Sequence, residues 1–237
     1  MLIKNKIKFI RNLGRKSERY EHQKFIIEGR KGIEEALTSG VEIDEIYCLE
    51  EYRDGLPEEL TETVSKKDME RLSQLSSSPG ILAIANFMKW PEADLTKGKY
   101  IFLDEINDPG NLGSILRIAD WYAYDAVICS RNSVDVYNQK VIQASMGSAF
   151  RIPLYYSDLK KVLEESTIES FAAMMEGEDA TKIDYPDSHI LLMGSESHGL
   201  NDELLGAASK AITIKRKGSA ESLNVAIATG ILAQLAS

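Results

Sequence analysis

Residues 100–130 read YIFLDEINDPGNLGSILRIADWYAYDAVICS. The stretch begins as a fully apolar strand that ends in two carboxylates, Asp104 and Glu105. A loop rich in Asn, Asp, Pro and Gly follows and opens into a helix, and DAVICS is a second apolar strand. Strand, helix and strand in about 30 residues make a βαβ unit. The pattern then continues. NQKVIQASMGSAF reads as a helix, IPLYYS as a strand, DLKKVLEES as a helix, and ESFAAMM and HILLMGSE as strands. NDELLGAAS is a short helix, AITIK a strand and ESLNVAIATGILAQLA the closing helix. Buried strands alternating with helices imply an α/β fold whose parallel sheet is covered on both faces. Ligands of such sheets sit at the carboxyl ends of the strands.

Upstream, FIIEGRKGIEEALTSG reads as strand, turn and helix, with Gly40 at the helix end. EIYCLE is a strand, SKKDMERLSQLSSSPG a capped helix and GILAIANF another strand. This is a small α/β unit of its own. MKWPEADLTKGK loses periodicity around Pro91 and Gly98. The boundaries expected are therefore residues 1–90, a linker at 91–98, and a second unit at 99–237. The sequence shows no internal repeat and no low-complexity tract.

A chain of 237 residues is long enough for a substantial core. No apolar run approaches the roughly 18–20 residues that span a bilayer, and the N-terminal stretch is too interrupted by charge for a signal peptide. No membrane partner and a cytoplasmic location are expected. Cys48 and Cys129 lie far apart in apolar strands and read as buried reduced thiols. The net charge of -9 weighs against a nucleic-acid partner, but its distribution does not. Residues 1–31 hold ten Lys and Arg against three Glu. A basic arm on an acidic body can meet phosphate locally; without such a ligand it is a solvated helix.

Three loops concentrate polar residues after apolar strands. In the first, Gly110 and Gly113 suit a tight turn, Asn111 is placed to cap the following helix, and Arg117 falls on its first turns near the strand end. A Gly-rich loop before a helix suits an anion, though no dinucleotide fingerprint or Walker loop occurs. On position alone Arg117 also fits a surface ion pair. In the second loop, LLMGSESHGL lacks the G-x-S-x-G of a nucleophile elbow, because position 196 is Glu. Ser197 and His198 give a hydrolase only weak support. His22, His189 and His198 have no metal-ligand spacing, and no metal is expected. The third loop, KRKGSAESLN, places Ser222 as helix cap and Asn224 inside the helix, where Asn has poor propensity.

Together the three loops resemble the SpoU (TrmH-type) RNA ribose methyltransferases of the SPOUT superfamily. The first motif is carried by Asn111 and Arg117, the second by Gly194, Glu196, Gly199 and Leu200. The third is carried by Ile214, Gly218, Glu221, Ser222, Leu223, Asn224 and Val225. Order and spacing match across residues 100–237. FIIEGRKGIEEAL is similar, more loosely, to the family's ribosomal-protein-like substrate-binding domain. The resemblance implies a C-terminal domain with a deep trefoil knot and a homodimer with the active site completed across the interface. It implies transfer of a methyl group from S-adenosylmethionine to a ribose 2'-hydroxyl of RNA, with large-subunit ribosomal RNA favoured and transfer RNA the alternative. A non-catalytic RNA-binding protein on the same scaffold is the remaining reading. The implied catalytic residues are Arg117, Asn111, Glu196, Ser222 and Asn224. Met193, Gly194, Ser195, Ile214 and Leu223 are implied to hold the cofactor, Gly194 by letting it approach closely. One position departs from the pattern: the family usually has Pro after the Ile, and here Lys215 stands there, followed by Arg216 and Lys217. The expected consequence is a looser cofactor loop whose added cations meet RNA phosphate.

Overall fold

The computed structural model describes residues 3–195 and 198–237. In chain order the elements are α1 (Lys4–Asn12), α2 (Lys16–His22), β1 (Lys24–Glu28), α3 (Arg30–Thr38), β2 (Ile43–Cys48), β3 (Thr61–Thr63), α4 (Lys66–Leu72) and β4 (Ile81–Asn86). There follow β5 (Lys99–Leu103), α5 (Pro109–Trp121), β6 (Ala126–Ser130), α6 (Gln139–Ser145), β7 (Leu154–Ser157), α7 (Leu159–Glu165) and β8 (Glu169–Asp179). The last elements are β9 (His189–Met193), α8 (Asp202–Ala207), β10 (Lys210–Thr213) and α9 (Val225–Leu235). Two compact units result: residues 1–89 with 135–150, and residues 90–134 with 151–237.

The first unit is built on a mixed sheet in the order β1-β4-β2-β3, in which β4 runs antiparallel to both β1 and β2. Helices α1 and α4 bury Ile7, Ile10, Met69 and Leu72 with Ile26, Leu82 and Ile84 of the strands. The periodicity that buries one side of α1 turns Lys4, Lys8 and Arg11 outward. Arg19 is only 4% exposed, yet its guanidinium is fully used. Its Nε donates to Asp135 Oδ2 at 3.0 Å, and its Nη1 donates to the carbonyls of Leu13 and Gly14. A buried charge persists only when paired and hydrogen-bonded in this way, so Asp135 fixes the turn between α1 and α2.

The second unit contains a six-stranded sheet in the order β10-β8-β9-β5-β6-β7, with every pairing parallel. Alternation along β5 decides the layering. Tyr100 and Phe102 join a core with Leu159, Leu163 and Leu204 of α7 and α8. Ile101 and Leu103, also buried, belong to the opposite side, where α5 and α9 pack against each other. The doubly covered parallel sheet read from the sequence is thus present. Cys48 and Cys129 are both buried and free, and burial pushes both thiols up.

At the amino end of this sheet the polar groups are paired among themselves. His189 is fully buried; its Nδ1 lies 2.9 Å from the Pro186 carbonyl and its Nε2 3.0 Å from the Tyr124 hydroxyl. A carbonyl only accepts, so Nδ1 carries the proton and Tyr124 donates to Nε2. Desolvation holds the His189 pKa below its ordinary value, in keeping with the neutral ring.

Candidate functional site

The carboxyl end is built differently. Around the ends of β9 and β10 and the middle of β8 lies a cavity of about 1220 Å³. Its walls include Met193, Gly194 and Ser195 after β9, Ile214 to Gly218 after β10, and Ser222 and Leu223 before α9. All five residues expected to hold a cofactor line it, and so does Ser222.

Three local expectations are corrected. Helix α5 begins at Pro109, and its cap is Asp108, whose Oδ1 accepts from the Asn111 N–H at 2.9 Å. Proline suits a first helical position because its missing N–H would be unsatisfied there anyway. Gly110, Asn111 and Gly113 are therefore helical residues, not turn or cap. Arg117 is the ninth residue of α5, about 12 Å along the axis from its start rather than on the first turns. Helix α9 begins at Val225, so Asn224 is its cap, accepting from the N–H groups of Ala226 and Ile227 at 3.0 and 3.3 Å. Ser222 lies in the preceding loop. The poor helix propensity of Asn ceases to be a puzzle, since Asn is among the preferred caps.

Asn224 has a second task. Its Nδ2 donates to Asn111 Oδ1 at 2.9 Å, which ties the start of α9 to the first turn of α5 and so the third motif to the first. The second loop is held by its own backbone and by β5. Ser195 and Gly199 exchange N–H to carbonyl bonds of 3.1 and 2.9 Å, with Gly199 at a left-handed φ of 70°. A Cβ on Gly194 would lie 2.1 Å from the Gly199 carbonyl carbon, so the space its missing side chain leaves is filled by the chain itself. Asp104, 6% exposed at the end of β5, accepts from Asn201 Nδ2 at 2.9 Å. Asn201 in turn caps α8 through the Leu204 N–H. Glu196 lies outside the described residues, as does Ser197.

Arg117 is not at the cavity. It is exposed on the outer side of α5, where it lines a groove with Trp121, Ile227, Ile231 and Leu235. The structure thus brings Asn111 to Asn224, and places Ser222 on the cavity with the cofactor set, while Arg117 lines the separate groove.

Lys215 is not a loose cation. Its Nζ lies 2.9 Å from Asp179 Oδ2. The ammonium, first, and then the Thr181 hydroxyl and N–H hold the Asp179 carboxyl down to about 2. The neighbouring Arg216 donates to the Ala220 carbonyl at 3.2 Å. Sequence reasoning noted Asp104 without giving it a role and passed over Asp179. A carboxylate closing an apolar strand, and an Asp-x-Thr turn after one, were the available signals.

Comparison with known proteins places this geometry. Residues 98–234 match the SpoU rRNA Methylase family, and residues 4–83 match the MRM3-like substrate binding domain. The chain belongs to the SpoU rRNA methylase family. It is 31% identical to the 23S rRNA (guanosine(2553)-2'-O)-methyltransferase RlmP of Bacillus subtilis, over 96% of this chain and 94% of that one. Among solved structures it resembles a TrmH-family protein from Porphyromonas gingivalis, with a TM-score of 0.91, 31% identity and coverage of 100% and 98%. It also resembles an AdoMet-bound rRNA methyltransferase from Sinorhizobium meliloti, with a TM-score of 0.88, 30% identity and coverage of 100% and 95%.

Proposed function

We propose that this protein methylates a ribose 2'-hydroxyl in ribosomal RNA, with S-adenosylmethionine as donor. The observation that carries the reading is the Asn224–Asn111 bond, which joins the first and third motifs beside a cavity lined by the second and third. The similarity to RlmP, a 23S rRNA 2'-O-methyltransferase by name, supports the RNA and the atom. The similarity to an AdoMet-bound rRNA methyltransferase supports the cofactor.

The residues present suit that cofactor. Ligand pockets are mostly apolar, with a few polar groups that fix orientation. This cavity offers Met174, Leu205, Leu223 and Val225 for a flat base and the Gly194 backbone and Ser195 hydroxyl for polar contacts. When bound, S-adenosylmethionine would supply an electrophilic methyl carbon: the ribose oxygen would take the methyl as the sulfonium becomes a thioether, and its proton would pass to an RNA phosphate oxygen or a neighbouring group. Ser222, exposed on the cavity wall, orients the ribose or its phosphate. Asn111 and Asn224 hold the two loops in register. A guanidinium does not give up its proton, so Arg117 is a clamp for phosphate or the developing oxyanion, not a base.

The position of Arg117 favours a homodimer. Trp121 is 83% exposed and Ile227 57%, and Ile227, Ile231 and Leu235 repeat once per turn on the same side of α9. A second copy seated on this groove would bury that surface and bring Arg117 to the partner's site. Sedimentation of Ile231→Asp as a monomer is the expected result; an unchanged oligomer removes the groove from the interface. The trefoil knot and the division at residues 91–98 belong to the same proposal. In the N-terminal unit the outward cations of α1, with exposed Arg15 and Lys16 beside them, support contact with RNA phosphate. Among the described residues no helix is long and apolar enough to cross a membrane.

The test is transfer of labelled methyl from S-adenosylmethionine to ribosomal RNA, with 2'-O-methyl mapping of the product. Arg117→Ala is expected to lower turnover at least about 100-fold while cofactor binding persists. Near-normal turnover would take Arg117 out of the reaction, and labelling of transfer RNA alone would replace the substrate.

A further inference from the structure

The loop between β10 and α9 is unusual in its exposure. Every residue from Lys215 to Asn224 is exposed, yet Ile214 to Gly218 and Ala220 to Leu223 form one wall of the cavity. A wall made of exposed loop holds its shape only if its ends are fixed. One end is fixed by Asn224 through Asn111 and the α9 cap. The other end is Lys215.

The register of the sheet shows why Lys215 finds a partner. Ala211 lies opposite Ala172, but the next residue, Ile212, lies opposite Glu178. Residues 173–177 of β8 are therefore extra and bulge out of the ladder. The bulge is packed, not slack: Thr213 Oγ1 donates to the Met175 carbonyl at 3.0 Å, and a Cβ on Gly177 would come within 2.8 Å of the Ala211 backbone. Ala173, Met174, Met175 and Glu176 of the bulge line the cavity. The same jump puts Asp179 opposite Thr213, two residues before Lys215. Asp179 is itself fixed, since its Oδ1 accepts from the Thr181 N–H and hydroxyl. The Lys215 ammonium then meets Oδ2 at 2.9 Å, with the carboxylate side chain only 11% exposed.

We propose that Lys215 is a positioning residue for cofactor binding, its ion pair with Asp179 holding the exposed 214–224 wall against the β8 bulge. The inference rests on reading the cavity as the S-adenosylmethionine site. Proline at this position would restrict the loop covalently by fixing φ. The ion pair restricts it by charge, and that difference makes the restraint sensitive to salt.

The experiment is calorimetric titration of S-adenosylmethionine into the full-length protein and its variants. Lys215→Ala and Asp179→Asn are each expected to raise Kd about three- to tenfold. The double variant is expected to bind no more weakly than either single one, because both remove the same pair. Lys215→Arg restores affinity. Raising salt weakens binding by the wild type and Lys215→Arg but leaves Lys215→Ala unmoved, a readout that needs neither Asp179 variant to fold. Weakening by Lys215→Ala but not by Asp179→Asn would mean Lys215 touches the ligand itself and would overturn the proposal. Unchanged affinity in Lys215→Ala with a raised KM for RNA would overturn it in favour of a phosphate contact, and no change at all would leave only a surface pair. Failure of the wild type to bind S-adenosylmethionine would instead bring down the cofactor reading, and this inference with it.

Discussion

The two ends of the six-stranded sheet both carry polar side chains and use them in opposite ways. At the amino end His189, Tyr124 and the Pro186 carbonyl satisfy one another in a site closed to solvent. There Asp125 also accepts from the Lys99 N–H at 2.8 Å and Ser188 Oγ from the Gly98 N–H at 2.9 Å. At the carboxyl end the polar groups hold loops and leave a cavity open beneath them. Asp104, Asp179, Asn111 and Asn224 each fix a loop end, while Ser222 stays exposed on the wall. Polar residues at one end complete the fold, and at the other they shape a site. That is the asymmetry expected of parallel sheets, whose helix and loop geometry opens crevices at the carboxyl side.

The strongest way to break the comparison is at Gly194. Gly194→Val must displace the Gly199–Leu200 backbone, since even a Cβ there would stand 2.1 Å from it. The expected cost is about 3 kcal/mol of stability, with cofactor binding lost, because overpacking against backbone finds no flexible side chain to move. Gly206→Ala in α8 is the matched control: a Cβ there meets nothing within 4 Å, and a helix former replaces glycine. Chemical denaturation and calorimetry of the two variants read both effects. Equal stability of the two would show that the 194–200 loop accommodates side chains and that its tight backbone is not what shapes the site.

How much of this was legible in the sequence follows the same division. The βαβ alternation predicted the parallel sheet because buried strands such as Tyr100–Leu103 admit little but apolar residues on both faces. The loops were legible as a set, through their order, but not in their local roles. Asn111 and Ser222 were expected to cap helices, and the caps are Asp108 and Asn224. The error is one of boundary: Asn, Asp and Ser all cap, and a cluster of them before an apolar run leaves the first helical residue open by two or three positions. Lys215 was expected to free its loop because the restraint that replaces proline is Asp179, thirty-six residues earlier in sequence. Only the β8 bulge brings the two together, and a register jump has no sequence periodicity to announce it.

Asn224 offers a smaller effect and a sharper separation. It caps α9 with its Oδ1 and reaches Asn111 with its Nδ2, so one residue belongs to both the fold and the site. Asn224→Ala removes both and is expected to cost about 1 kcal/mol of stability. Asn224→Asp keeps an oxygen for the cap and loses the donor. Its thermal stability should stay near that of the wild type while methyl transfer falls by about tenfold, the scale of one lost hydrogen bond. Stability lost and turnover kept would reverse the assignment and make the Asn224–Asn111 bond part of the fold alone.

The last test concerns the amino end. Burial depresses the pKa of His189, so the folded state disfavours the charged ring. In the unfolded chain the ring titrates near its usual value of about 6.5. Above that pH both states are neutral, and the stability contribution is complete. As pH falls below it, the unfolded chain takes up a proton the folded one refuses, and stability declines until the folded pKa is reached. The decline attributable to this residue is at most about 1.4 kcal/mol per pH unit. His189→Gln is close in volume, keeps polar atoms and has no titrating group. Its urea midpoint, followed from pH 7.5 to 5, should fall less steeply than that of the wild type, while cofactor affinity at pH 7.5 stays unchanged because the variant lies at the far end of the sheet. Parallel midpoint curves would mean that His189 charges without cost and that the amino end is not the closed structure its hydrogen bonds describe. A change in cofactor affinity would mean instead that the two ends are coupled through β9, the strand that begins at His189 and ends at Met193 on the cavity wall.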